Sequence, residues 1–225
     1  MKFFSNHKKT TAPETITSSC LNILLNRISS DLERKGYFWN VAWGIKRYES
    51  IILSKFIIDH SFESIFREEI SDEEKSAYYF ISNKVFSSLF NEEFSEIGIN
   101  YESMKSEIDK KIQDYFAAYN STDESPNHYA QMYMVITKSQ SPDVLKKEID
   151  KQNVCLKFLR VNDKFSHMVP EYEKKLTCFE EKASAFKLAE VMLPHMMRSA
   201  RHKMKDMNIK KLKSLSKKIL KKENK

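Results

Sequence analysis

Only three glycines, Gly36, Gly44 and Gly98, occur in 225 residues. Tight hairpin turns need backbone at positive φ, which Gly, Asn or Asp mostly supply. A chain so poor in glycine does not build a many-stranded β protein. It also lacks GxGxxG and GxxxxGK[ST], so no glycine-rich phosphate loop is present. Hydrophobic residues make up 41%, with 15 Phe, 10 Tyr and 10 Met, which is enough for a packed core. The expectation is an all-α fold.

The apolar periods support it. Ile16, Cys20, Leu24, Ile28 and Leu32 recur every fourth residue, which predicts one helix face ending near Gly36. Phe38, Val41, Ile45, Tyr48, Ile52 and Phe56, widened by Trp39, Trp43, Leu53 and Ile57, predict a second helix that is apolar round most of its girth. Such a helix is central in a bundle, and Trp39 and Trp43 are expected in the core. Ser71 and Glu74 form a capping-box pattern ahead of a third helix, and Asn100 caps a fourth. Ser125-Pro126 and Ser141-Pro142 each read as an N-cap followed by proline at the first helical position. From Glu171, the series Leu176, Phe179, Ala183, Phe186, Glu190, Leu193, Met197, Ala200, Met204 and Met207 steps by three and four, as in a heptad seam. Pro194 falls inside it and is expected to kink or restart that helix.

The chain thus reads as a bundle of about six or seven helices with a long C-terminal helix and a cationic amphipathic tail. A flexible N-terminus is expected over 1–14, the bundle over 15–207 with a joint near 121–127, and the tail over 208–225.

The formal net charge of +7 is unevenly spread. Residues 61–125 carry six Lys/Arg against fifteen Asp/Glu, or −9, whereas residues 198–225 carry twelve against two, or +10. The tail NIKKLKSLSKKILKKENK places Ile209, Leu212, Leu215, Ile219 and Leu220 along one edge. Lys210, Lys211, Lys213, Lys217, Lys218, Lys221 and Lys222 occupy most of the rest. Its apolar edge could pack on the body, or its lysines could meet an anionic partner. An acidic protein surface (including another copy's −9 segment) and a membrane surface both fit. A nucleic-acid backbone is preferred, because phosphate contact needs lysine density and no base reading.

Candidate chemistry is sparse. Carboxylates cluster at Glu68, Glu69, Asp72, Glu73 and Glu74 and again at Glu92, Glu93 and Glu96. Di-metal bundle sites use Glu-x-x-His pairs, and none occurs here. His195, Met196, Met197, His202 and Met204 gather round Pro194, but methionines on a seam serve as core filler, and no ligand quartet is complete. No metal or cofactor is expected. Cys20, Cys155 and Cys178 are dispersed, without CxxC, and read as free thiols of a reducing compartment. The start MKFFSNHKK regains charge before an apolar run forms, so no classical signal peptide is read, and no run is long enough to span a bilayer. A cytoplasmic location is expected.

One stretch, RVNDKFSH from Arg160 to His167, resembles the Arg-x₆-His signature of HEPN-type ribonucleases on its two outer residues. The resemblance implies a small dimerising helical bundle that cleaves RNA by transesterification. His167 would move the proton and Arg160 would steady the phosphate. Val161 departs from the polar residue that commonly follows the arginine in that family. The favoured expectation is a non-enzymatic helical interaction protein whose basic end binds an anionic partner, with this ribonuclease as the alternative.

Overall fold

The computed structural model describes residues 14–15, 18–38, 45–121, 128–138 and 140–215. The fold is all-α. In chain order the helices are α1 (Ser18–Phe38), α2 (Arg47–Phe66), α3 (Asp72–Phe94), α4 (Tyr101–Tyr119), α5 (His128–Thr137), α6 (Pro142–Arg160) and α7 (Val169–Lys205). Short 3₁₀ turns at Ser95–Ile97 and Asp163–Met168 link α3 to α4 and α6 to α7. Beyond α7, residues 210–215 form a further helical turn. The two-residue strands β1 (Glu14–Thr15) and β2 (Met207–Asn208) pair in parallel, joining the two ends of the described chain.

Local sequence signals set many of the boundaries. Ser71 Oγ accepts from the Glu74 amide at 3.3 Å while the Ser71 amide donates to Glu74 Oε2 at 2.9 Å, which completes the capping box of α3. Asn100 Oδ1 accepts from the Ser103 amide at 2.9 Å and starts α4. Ser141 Oγ accepts from the Val144 amide, with Pro142 at the first position of α6. Gly98, at φ +78°, turns the chain between α3 and α4 in the left-handed region that glycine enters without strain.

Helix α1 ends at Phe38, near Gly36 as expected, with Leu21, Leu24, Leu25, Ile28 and Leu32 as its buried face. One boundary differs from expectation: the second helix starts only at Arg47. The expected positions of Trp39 and Trp43, and the Ser125-Pro126 cap, lie outside the described residues.

Helix α2 is the centre, contacting α1, α3, α4 and α7. Every residue from Ser50 to Asp59 is buried. That includes two charges. Lys55 Nζ donates to Asp59 Oδ2 at 2.6 Å and to Ser82 Oγ at 3.1 Å. Asp59 Oδ1 in turn accepts from Tyr78 Oη at 2.9 Å and Ser82 Oγ at 2.8 Å. Burial, and then the Asp59 carboxylate, push the Tyr78 phenol well above its ordinary range. Around this cluster the Phe62 and Tyr78 rings stack, and Phe56 meets Phe116 edge-on at 4.8 Å.

Helix α7 continues unbroken through Pro194. Its buried residues begin at Ala185 and include Phe186, Ala189, Leu193, Met197, Ala200 and Met204. Glu190 points out, and Ala189, fully buried, takes the place in the seam where the sequence reading put a charge. The N-terminal half of α7 is mostly exposed, with Phe179 packed against the core, and pairs with α6 as a helical hairpin.

The buried polar cluster makes an asymmetric prediction. Asp59→Ala removes the shared acceptor of Lys55, Tyr78 and Ser82 and should cost about 3–5 kcal/mol in urea unfolding. Lys55→Met leaves Asp59 with two donors and should cost less. The pair Lys55→Met with Asp59→Leu should recover most of the Asp59→Ala loss. Equal costs for the two single variants would contradict a cluster organised on Asp59.

Candidate anion-binding groove

The C-terminal half of α7 carries Arg198, Arg201, His202 and Lys205 at spacings of three, one and three residues. Those steps place all four on one helical stripe. Beside the stripe, the end of α2 and the turn after it contribute Ser64, Ile65, Phe66 and Glu69. Together these eight residues line an open groove of about 640 Å³. Its formal charge is positive, with two guanidinium groups and an ammonium against the one carboxylate of Glu69.

Behind Arg201 lies a layer of aromatic and imidazole rings that does not itself line the groove. Arg201 Nη2 lies 3.4 Å from His60 Nε2 on α2 and donates to Tyr119 Oη on α4 at 3.4 Å. The His60 ring stacks on Phe56 and meets Tyr119 edge-on at 4.5 Å. Tyr119 then packs on His128 at 4.9 Å and Tyr129 at 6.0 Å. Among the described residues, Arg201 Nε and His128 Nε2 are buried without a hydrogen-bond partner. Arg201 Nε is shut off from solvent, so an oxyanion in the groove would meet the exposed Arg198, His202 and Lys205 and the outer part of the half-buried Arg201.

The electrostatics follow from burial. Desolvation, and then the Arg201 guanidinium, hold the His60 imidazole below the usual histidine range, against a weaker opposing pull from Glu63. A neutral His60 can accept at Nε2 from Arg201, which puts its proton on Nδ1. Burial also raises the Tyr129 phenol, partly offset by the charges of Arg201 and Arg198.

The residues expected from sequence are distributed differently. Lys210 and Lys211 are exposed. Lys213 reaches Glu74 Oε1 at 3.6 Å, five residues beyond Glu69 of the groove. Leu212 is fully buried, and Ile209 and Leu215 pack on the core, so the first part of the tail's apolar edge docks on the body. Lys217, Lys218, Lys221 and Lys222 lie outside the described residues. Arg160 pairs with Glu173 at 2.7 Å and His167 is exposed on the turn after α6; neither lines the groove. The His–Met gathering is dispersed. Met196, Met197 and Met204 are buried, His202 lines the groove, and His195 lies by a small cavity between α7 and α1. No group of three or more His, Cys, Asp or Glu that could hold a metal occurs among the described residues.

Arg198, Arg201 and Lys205 escaped attention in the sequence because their contribution to the +10 end was read as part of the tail. The stripe itself was visible, since it lies one step from Met197, Ala200 and Met204 of the seam. The partners on α2, α4 and α5 carried no signal.

Because the folded-state value of His60 is below its unfolded one, its contribution to stability is complete above about 6.5, the ordinary histidine value, and is lost as pH falls toward the folded value. An anion beside Arg201 offsets the guanidinium field and should raise the His60 titration. Sulfate, which does not itself titrate near neutrality, should therefore bind more tightly as pH falls through that titration. NMR of the imidazole with and without sulfate would show it. An unmoved His60 titration at saturating sulfate would place the anion elsewhere.

No protein-family model, no curated protein and no solved structure matches the chain, and the reading of the groove stands on its geometry.

Proposed function

We propose that this protein is a non-enzymatic binding module that grips the phosphate backbone of a nucleic acid at the basic end of its bundle. The observation that carries the reading is the convergence of Arg198, Arg201, His202 and Lys205 on one groove. Guanidinium groups suit phosphate oxygens because their donors fork in a plane. The exposed Lys210 and Lys211 follow directly after α7 and extend the cationic surface beyond the groove. A groove that is wide, open and without base-reading amides suits backbone contact independent of sequence. The acidic turn holding Glu68 and Glu69 borders one side and favours a strand that runs along α7 over one that crosses α2.

Removing residues 208–225 would strip Leu212 from the core, so charge-neutral substitution is the cleaner test. Fluorescence anisotropy with unrelated single-stranded RNA and DNA should give affinities that fall linearly with log salt. Arg198→Gln and Arg201→Gln should each weaken binding uniformly across sequences and reduce the salt slope by about 1. Lys217, Lys218, Lys221 and Lys222 changed together to Gln should reduce it further. The oligonucleotide should be recovered intact. Absence of binding at low salt, or binding indifferent to Arg198 and Arg201, would refute this reading.

A further inference from the structure

The hairpin formed by α6 and the first half of α7 ends in an apolar tip. Four of the nine exposed large apolar side chains among the described residues fall in the twelve positions from 154 to 165. Val154, Phe158 and Val161 succeed one another by four and three residues, so they share one face of the last turns of α6. Phe165, from the 3₁₀ turn, lies 6.2 Å from the Phe158 ring and extends the same ridge. Val161, at 83% exposure, is the most exposed of the nine. The opposite face of α6 is already used: Leu145, Gln152, Leu156 and Leu159 are buried there.

We propose that this tip inserts into the surface of an anionic lipid bilayer. Two features select that occupant. The ridge is accompanied by cations: Lys157 and Lys164 are exposed in the same stretch against Asp163, while Arg160 is paired with Glu173 at 2.7 Å. Long basic side chains beside an apolar ridge can hold their charges at headgroup level while the ridge enters the acyl region, and each contributes attraction to anionic lipid. Finally, α6 packs chiefly on α7 and the turn between them, and among the described residues Val154, Phe158, Val161 and Phe165 stay exposed. The proposal is independent of the groove, which lies at the other end of α7.

Flotation decides it, with vesicles of phosphatidylcholine and phosphatidylserine at a roughly 3:1 ratio, anionic like a cytoplasmic leaflet. The intact protein should float with these vesicles and far less with phosphatidylcholine alone. Val161→Asp with Phe165→Asp should lower the bound fraction by about tenfold or more, as loss of two inserted apolar side chains requires. Lys157→Gln with Lys164→Gln should weaken binding and flatten its salt dependence. Arg198→Gln with Arg201→Gln should float as the intact protein does. Should the double aspartate variant misfold by circular dichroism, Val161→Ser, at the most exposed position, gives the same reading. The proposal is overturned if the intact protein stays unbound. It is equally overturned if the tip variants float normally while the groove or tail-lysine variants do not. Sedimentation velocity adds a third such outcome: a dimer dissolved by the tip variant, without flotation, would make the occupant a second copy of this chain.

Discussion

Two opposite charges, Lys55 and Asp59, sit almost wholly out of solvent, and much of the architecture answers to that. Helix α2 is buried along ten consecutive residues, so Lys55 and Asp59 must find their partners inside the bundle. An isolated buried charge is costly, whereas a paired and fully hydrogen-bonded one is tolerated in one arrangement only. Asp59 draws Tyr78 and Ser82 from α3, and Lys55 reaches the same Ser82. A slide of α3 by one residue would leave an acceptor empty. Fixing α2 against α3 also fixes where α2 ends, and therefore where His60 and Phe66 stand relative to α7. The cluster is thus upstream of the groove, although it touches no part of it.

Helix α7 converts that fixed position into a surface. Its inner side is lined by Ala185, Ala189 and Ala200 among methionines and leucines. Small residues let helices approach, and methionine fills the irregular gaps that remain. The stripe one step round the helix is then held against α2 without being buried, so Arg198, Arg201 and Lys205 face a groove and keep access to solvent. Past α7, Met207 and Leu212 are buried, and β2 pairs with β1. The core therefore extends into the segment whose lysines dominate the composition. Apolar anchoring and cationic display alternate along one stretch of chain.

Helix faces and starts were legible because they depend on neighbours in sequence. The four-residue recurrence of α1, the capping box at Ser71 and the Ser141-Pro142 start are local, and each formed. The end of α1 near Gly36 was also legible, whereas the start of α2 at Arg47 lay well inside the apolar run expected to be helical. The site was legible only in part. Arg201 and His60 are 141 residues apart, and Arg201 and Tyr119 are 82 apart, so no window on the sequence unites them. The pair Arg160 and His167 shows the converse. Their spacing is local and was easy to see, but spacing does not report whether two residues line a cleft or stand exposed. The outward face of α6 was similarly hidden, since Phe158 reads as core by type and is exposed only because α7 covers the other side.

The two proposed surfaces are separated by rigid structure. From Val169 at the hairpin tip to Arg198 at the groove, α7 advances 29 residues, which at the rise of an α-helix is roughly 45 Å. Both surfaces are cationic, yet they differ in what accompanies the charge. At the tip the cations flank an apolar ridge, and at the groove they surround a concavity backed by the end of α2, with His60 and Tyr119 behind Arg201. A bilayer offers a deformable apolar phase under a layer of phosphate, whereas a nucleic acid offers discrete phosphates on a stiff contour. Charge alone does not distinguish the two proposals; the exposed apolar side chains at the tip and the lined groove at the other end do. Because a single helix carries both, an anionic polymer held in the groove would stand off a membrane by about the length of the α6–α7 arm, and neither ligand would compete for the other's residues.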